Sequence, residues 1–203
     1  MTRFRSKLAA GFLSLALAGC ASSSGAPIAR ISEAPIAAAY LPLHGRVHLG
    51  LDNADGASVV IAPGIAVTNG HNRDFLGGAP VIGEARDYDL LFFRVARSAD
   101  LPTVAAQVGA PVIAYGQGAD AELRIAHGIV RQIVTCPGCT ASAYFTFEGN
   151  AGPGFSGGPV IDPQGRLVGI TFAYKDEGGK RLIYAYEMAR VRAELQALQS
   201  PAR

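Results

Sequence analysis

Short apolar runs separated by glycine-containing turns fill most of the chain between residues 46 and 188. Val, Ile, Tyr and Phe dominate these runs, and these residue types favour β-strands. The runs are RVHLGL, ASVVIA, GIAVT, APVIG, DLLFFRV, PVIAYG, LRIAHGIVRQIV, SAYFTFE, GGPVID, RLVGITFAY and RLIYAYEM. About eleven strands is a number typical of a barrel or a sandwich. The pattern therefore predicts an all-β fold.

One segment near the C-terminus has the periodicity of a helix instead. Between residues 187 and 199, apolar residues recur on one helical face, at Met188, Val191, Leu195 and Leu198. A single apolar stripe of this kind is typical of a helix that lies on the surface of a core. We therefore expect a C-terminal helix over about residues 187–199 that packs against the outside of the β-structure.

Composition and charge exclude several classes of protein. Of the 203 residues, 49% are hydrophobic and 17% are charged, which excludes an intrinsically disordered chain, and the 25 glycines suit a turn-rich β protein. The formal net charge of +2 comes from the first nineteen residues, which contain three basic residues and no acidic one. The remaining chain has no basic field, so we expect no nucleic-acid partner.

The first nineteen residues are typical of a secretion signal. Arg3, Arg5 and Lys7 precede an apolar run from Leu8 to Leu17, and this run is too short to span a bilayer as a helix. The ending L-A-G-C resembles the lipobox of bacterial lipoproteins. This resemblance implies that Cys20 is lipidated and becomes the first mature residue, and that the protein is anchored in the cell envelope. The alternative is an ordinary cleaved signal.

Two further features concern this anchor and the segment behind it. Ala21, rather than aspartate, follows the cysteine, and in enterobacterial lipoproteins this favours the outer membrane, facing the periplasm. Residues 20–39 are small, polar and proline-punctuated, which indicates a flexible tether. We therefore expect one folded domain over residues 40–200.

The most specific motif is the glycine-rich segment Gly152–Val160, GPGFSGGPV, with Ser156 at its centre. A serine hydroxyl becomes a nucleophile only with a base beside it, on a turn that exposes it. The flanking glycines permit strained backbone angles and leave amide groups accessible. The amides of Gly154 and Ser156 are our candidates for an oxyanion hole. The alternative is a glycine-rich hairpin whose serine has no catalytic role.

A histidine and an aspartate stand at the ends of two other strands. His71 follows the apolar run GIAVT at an Asn-Gly turn, and Asp89 begins the run DLLFFRV. The chain order His71, Asp89, Ser156 is that of the chymotrypsin-type triad, with His71 as base and Asp89 as the residue that orients it.

The blocks VTNGH, DLLFF and GFSGGPV resemble the three signature blocks of trypsin-like serine peptidases, particularly the bacterial HtrA-type branch. PVIAYGQG, HGIVRQI and LVGITFAY resemble further strands of that branch, so that the likeness covers about residues 44–190. It implies two antiparallel β-barrels of the chymotrypsin type, over about residues 44–105 and 106–187. It also implies a serine endopeptidase that acts on proteins or peptides and needs no cofactor. No PDZ-like domain follows.

The chain departs from this family in the interval between its histidine and its aspartate. His71 and Asp89 are unusually close in sequence, which implies a trimmed first barrel. Asp87, two residues earlier, is an alternative to Asp89, whereas Asp74 lies too close to His71. We favour Asp89 because it directly adjoins the apolar strand.

The resemblance also bears on specificity and activation. Asn150 stands where trypsin has the aspartate that selects basic side chains, so a basic preference is not implied. Phe172, Ala173 and Tyr174 form the end of the strand that lines the cleft, and we expect the last two to narrow the pocket for small apolar side chains. Phe155 stands where trypsin-like zymogens have the aspartate that pairs with a new N-terminus. We therefore expect no zymogen cleavage.

The two cysteines after Cys20 lie close together in sequence. Cys136-Pro-Gly-Cys139 offers only two thiols and the chain has no H-E-x-x-H motif, so we expect no metal site. In an oxidising compartment the pair Cys136 and Cys139 favours a local disulfide, with a redox role as the alternative.

The alternative to an enzyme is a catalytically inactive protein that uses the same fold to bind a partner in the envelope.

Overall fold

The computed structural model describes residues 25–47, 52–118, 121–135 and 142–200. Cys20, Cys136 and Cys139 lie outside these ranges. The strands are β1 (Ala26–Pro27), β2 (Tyr40–Val47), β3 (Asp52–Ala62), β4 (Ile65–Thr68), β5 (Val81–Glu84), β6 (Leu91–Arg94), β7 (Pro111–Gln117), β8 (Leu123–Thr135), β9 (Ser142–Gly149), β10 (Pro159–Ile161), β11 (Leu167–Glu177) and β12 (Lys180–Glu187). The helices are α1 (Ala34–Ala39), the 3-10 helix Gly70–Phe75 and α2 (Met188–Gln199).

Apart from β1, which pairs with β8, the strands form two antiparallel sheets that follow each other in sequence. The first has the order β2-β3-β4-β6-β5, and within the described residues it is a curled, open sheet. The second has the order β8-β7-β10-β11-β12-β9, and pairing of β8 with β9 closes it into a six-stranded barrel. The expected all-β fold of the chymotrypsin type is thus confirmed, with the difference that only the second sheet closes.

The alternation of side chains along the strands explains how the closed barrel is filled. Phe145 and Phe147 of β9 are fully buried, as are Ile183 and Ala185 of β12, and they belong to one apolar cluster inside the barrel. The intervening side chains point to the other face of each strand, because side-chain direction alternates with a period of two. Tyr184 and Tyr186 of β12 therefore face outward, and Tyr186 contacts Tyr88 and Asp89 beside the first sheet.

Helix α2 packs in the way that its apolar stripe predicts. Met188, Val191 and Leu195 are buried, and Leu198 lies against Gly83 of β5 in the first sheet. The helix therefore follows the second barrel in sequence but reaches the first sheet in space. Within the described residues, no helix is both long and apolar enough to cross a membrane.

Residues 25–39 differ from the flexible tether that the sequence indicates. Strand β1 pairs with β8, and the Ile28 amide donates a hydrogen bond to the Leu123 carbonyl (2.9 Å). Ile36 and Ala39 of α1 are buried in the core. The composition suggested a tether because the segment is rich in small residues and proline, yet its few apolar side chains find partners far away in sequence. Residues 25–39 are therefore packed against the rest of the domain.

Removing this segment should weaken the fold. A chain that begins at Tyr40 loses Ile36, whose burial contributes about 1.5–3 kcal/mol, and leaves a cavity in its place. We expect its free energy of unfolding to be about 3 kcal/mol lower than that of a chain beginning at Gly25, measured by urea unfolding. Ile36→Ala in the full chain is the matched control and should give a similar loss. Equal unfolding midpoints for the two chains would show that residues 25–39 act as a tether after all.

Candidate active site

His71 stands at the start of the 3-10 helix, directly after the buried strand β4. All four residues of β4 are buried, and Asn69, which follows the strand, is fully buried as well. The Asn69 side-chain amide donates a hydrogen bond to the carbonyl oxygen of Asp89 (2.7 Å). This bond ties the turn that carries His71 to the segment that carries Asp89.

His71 and Asp89 meet through two hydrogen bonds. The ring nitrogen Nδ1 of His71 lies 2.6 Å from Oδ2 of Asp89, and the His71 amide donates to Oδ1 (3.1 Å). The approach requires a glycine at position 70, because a Cβ atom there would lie 2.9 Å from Oδ1 of Asp89. A carboxylate that accepts a hydrogen bond from Nδ1–H keeps the proton on Nδ1. Nε2 of His71 is then unprotonated and free to act as a base.

The environment of Asp89 keeps its carboxyl group charged. Partial burial alone raises its pKa, but the hydrogen bonds from the His71 side chain and from the amides of His71 and Gly70 outweigh this effect, and the pKa of Asp89 lies below its ordinary value of 3.8. A lowered pKa in the folded state stabilises the fold above the ordinary pKa, and this contribution is lost as the pH falls through the lowered value. The carboxylate is therefore available to His71 at neutral pH.

The alternative aspartates have no such contact. Asp87 and Asp74 are both exposed, and neither forms a hydrogen bond with His71 within the described residues. Asp87 lies in the bend that precedes β6 and not on the strand itself. The structure thus brings Asp89, and not Asp87, to His71.

The segment that carries Ser156 consists of two consecutive β-turns. The Phe155 amide donates to the Gly152 carbonyl (3.1 Å), and the Gly158 amide donates to the Phe155 carbonyl (2.9 Å). The third residue of each turn is a glycine with positive φ, Gly154 at +84° and Gly157 at +81°. Turns of this type need φ > 0 at their third position, which explains the glycine spacing of the motif.

These turns leave two amides without a partner. Within the described residues, the amides of Gly154 and Ser156 form no hydrogen bond, whereas those of the neighbouring Phe155 and Gly157 are both bonded. An oxyanion hole needs backbone amides that are free to donate to the substrate, and these two amides, at and beside Ser156, are free to do so.

Ser156 is held beside the 3-10 helix by its own carbonyl group. This oxygen accepts hydrogen bonds from the Ala57 amide and from the side-chain amide of Asn72, both 2.9 Å long. Asn72 is the residue after His71, is almost fully buried, and also donates to the Thr68 hydroxyl (2.9 Å). The sequence analysis missed Asn72, although its place directly after His71 was the available signal.

The Ser156 hydroxyl and Nε2 of His71 are not hydrogen-bonded to each other. Within the described residues, neither the Ser156 hydroxyl nor Nε2 of His71 forms a hydrogen bond. Catalytic hydrogen bonds are often long in a free enzyme and tighten when substrate binds.

The described residues contain no group of three or more His, Cys, Asp or Glu side chains that could hold a metal ion.

Phe155 anchors the nucleophile segment from behind. Its side chain is fully buried in the core of the closed barrel. The ring lies directly against Gly116 of β7, and its tip lies against Gly25 in the N-terminal segment. Phe155 thus lies in an apolar environment, in which burying an unpaired charge would cost several kcal/mol.

The expected substrate-binding residues lie in two groups, Phe172–Tyr174 on β11 and Asn150 just after β9. Arg181 lies close to both groups. Phe172 stacks on Tyr186 with 4.0 Å between ring centroids, at a β-bulge between Thr171 and Ala173. Tyr174 is 42% exposed, and the guanidinium carbon of Arg181 lies over its ring, 4.6 Å from the ring centroid. Arg181 also donates a hydrogen bond to the Ala151 carbonyl (3.5 Å). The exposed Asn150 adjoins that contact.

Comparisons with known proteins indicate the family and the fold of this chain. A family model described as "Trypsin-like peptidase domain" matches residues 51–170. No curated protein matches the chain by sequence.

Solved structures show the same fold at low identity. The active form of the Rv3671c protease from M. tuberculosis superimposes with a TM-score of 0.64 and 18% identity, covering 81% of this chain and 82% of that one. The HtrA-type protease AlgW with a tripeptide gives 0.62 and 19%, covering 82% and 61%. A serine endoprotease from Yersinia pestis gives 0.63 and 18%, covering 81% and 64%.

Proposed function

Because this chain belongs to the family of trypsin-like peptidase domains, we propose that it is a serine endopeptidase with Ser156 as nucleophile, His71 as base and Asp89 as the residue that orients His71. The observation that carries the proposal is the 2.6 Å contact between His71 and Asp89, next to a serine whose segment offers two free amides. These are the parts that acyl transfer needs.

The geometry supports a two-step reaction. Nε2 of His71 takes the proton of the Ser156 hydroxyl as its oxygen attacks the carbonyl carbon of the substrate. The negative charge on the carbonyl oxygen is then stabilised by the amides of Gly154 and Ser156, and one such donor is worth about 3 kcal/mol in comparable sites. His71 passes its proton to the leaving amine, which leaves an acyl-enzyme. A water molecule, deprotonated by His71, then attacks the acyl carbon, and as the bond to Ser156 breaks His71 returns the proton to the Ser156 oxygen, which releases the product acid and the free enzyme.

An open strand edge supports peptides as the substrate class. Beyond Ile170, β11 pairs with β12 on one side, and no described strand pairs with its other side at Phe172–Tyr174. An extended peptide can add to such an edge through main-chain hydrogen bonds. We propose Phe172, Ala173, Tyr174 and Asn150 as the residues that contact substrate side chains.

Cleavage of an unfolded protein tests this proposal. Fluorescently labelled, unfolded casein is incubated with the full-length protein and with Ser156→Ala, and fragments are followed by gel and mass spectrometry. We expect cleavage by the wild type and none by the variant. Equal cleavage by both would place the activity elsewhere, and no cleavage by either would favour the inactive binding protein.

We also propose that the enzyme is anchored to the bacterial envelope through lipidated Cys20, facing the periplasm from the outer membrane. Four residues, 21–24, separate Cys20 from Gly25, which is the first described residue and lies against Phe155. A fully extended chain spans at most about 3.6 Å per residue, so this distance is at most about 18 Å. The catalytic domain would then work close to the membrane surface. Mass spectrometry of the mature N-terminal peptide tests this, and an unmodified Cys20 contradicts it.

The disulfide between Cys136 and Cys139 is a further proposal. It rests on the spacing of the two cysteines and on the oxidising compartment that a secretion signal implies. The closed loop is very short, so we expect only a modest stabilisation. Alkylation before and after reduction, followed by mass analysis, should show both thiols protected in the freshly secreted protein. Two free thiols would contradict the proposal.

A further inference from the structure

Tyr186 of β12 connects the second barrel to the backbone of Asp89. Its side chain is buried, and its hydroxyl oxygen accepts a hydrogen bond from the Asp89 amide (3.1 Å). The two residues are 97 positions apart in sequence. The bond therefore crosses between the two sheets at the residue that orients His71.

Asp89 itself belongs to no strand. Residues 86–89 lie in bends between β5 and β6, and a hydrogen bond from the Ala85 amide to the Leu90 carbonyl (2.9 Å) closes this segment. The carbonyl group of Asp89 is held from the first sheet, by the side chain of Asn69 (2.7 Å). Its amide is held from the second barrel, by Tyr186. Both backbone groups of Asp89 thus depend on side chains from elsewhere in the chain.

The Tyr186 hydroxyl stays neutral in this position. Burial is the largest effect and raises the pKa of Tyr186. The hydrogen bond from the Asp89 amide lowers this pKa, the charges of Asp89 and Tyr88 raise it, and the net result is a raised pKa. A neutral phenol oxygen can accept the amide proton without placing a second negative charge beside the carboxylate.

The ring of Tyr186 packs against two other aromatic rings. It stacks on Phe172 at an interplanar angle of 12°, and it meets the ring of Tyr88 edge-on at 5.6 Å. Phe172 belongs to the strand edge that we assign to the substrate. A peptide that presses against Phe172 therefore presses on the same side chain that holds Asp89.

We propose that Tyr186 is a positioning residue, which holds the Asp89 backbone so that its carboxylate faces His71 and which couples this alignment to Phe172 in the substrate cleft. The inference rests on the proposed peptidase function for its kinetic consequence. Its geometric part, the alignment of Asp89 with His71, does not depend on turnover.

Tyr186→Phe in the full-length protein tests the proposal, because it removes the hydroxyl and keeps both ring contacts. Loss of one hydrogen bond to a reacting assembly corresponds to about a tenfold change in rate. We expect kcat to fall by about tenfold with KM nearly unchanged. The low-field proton resonance of His71 Nδ1–H, which reports the 2.6 Å bond to Asp89, should shift or broaden at the same time.

Tyr184→Phe is the matched control in the same strand. Tyr184 loses the same atom, and its hydroxyl forms no hydrogen bond within the described residues. We expect wild-type kcat and an unchanged His71 resonance in this variant. An unchanged kcat and resonance in Tyr186→Phe would overturn the proposal, as would identical changes in both variants. If the wild type shows no turnover, the proposed function fails, and the resonance alone still decides whether Tyr186 aligns Asp89 with His71.

Discussion

Replacing Ser156 with alanine is expected to lower kcat by about a millionfold, and His71→Ala should have a similar effect. The double variant should lose little more, because nucleophile and base act in the same proton transfer and removing either abolishes it. The residual rate comes from the free amides of Gly154 and Ser156 and from substrate binding, which both variants retain. The measurement is kcat for one peptide substrate in all three variants.

Folding is the necessary control for this cycle. Ser156 contributes only its carbonyl group to the contacts with Ala57 and Asn72, so alanine keeps both hydrogen bonds. The Ser156→Ala protein should therefore unfold at nearly the wild-type temperature. Losses that multiply in the double variant would show that the two residues act independently, which contradicts a shared proton transfer.

Asp89→Asn is expected to lower kcat by about ten-thousandfold, less than the loss of the nucleophile. If the asparagine oxygen keeps the hydrogen bond from the His71 backbone amide, its NH2 group faces Nδ1 and donates to it, which favours the imidazole tautomer with the proton on Nε2, where it cannot act as a base. The 2.6 Å contact in the structure makes Asp89 the residue with this effect.

Asp87→Asn is the matched control, since it makes the same chemical change two residues earlier in the same segment. Asp87 is exposed and forms no hydrogen bond with His71 in the described part of the chain, so this variant should keep nearly all of its activity. A severe loss in Asp87→Asn, with Asp89→Asn close to wild type, would reverse the assignment. The pair of variants thus decides between the two aspartates that the sequence left open.

Most strands of this protein were predictable because they depend on a local pattern, whereas β1 and most of β2 precede the first predicted run. In β9, fully buried Phe145 and Phe147 flank Thr146, so that the alternation of the sheet is visible in the sequence. The nucleophile segment was predictable for a related reason. Its glycines at 154 and 157 are demanded by positive φ angles, and few other residues tolerate them.

The features that the sequence did not indicate all depend on distant partners. Helix α1 is short and begins with a proline-containing turn, and it is held by the burial of Ile36 and not by its own propensity. The role of Asn72 depends on Ser156, which is 84 positions away, and that of Tyr186 depends on Asp89. Such contacts cross between the two sheets, and no periodicity within one segment encodes them.

The most direct test of the account is covalent labelling with a serine-reactive fluorophosphonate. The reagent phosphonylates a serine only when a base activates its hydroxyl and an oxyanion hole accepts the phosphoryl oxygen. We expect one reagent molecule per folded protein, mapped to Ser156 by mass spectrometry, and no labelling of Ser156→Ala or His71→Ala. Folded wild-type protein that remains unlabelled would contradict the peptidase and favour a binding protein that has kept the fold without the chemistry.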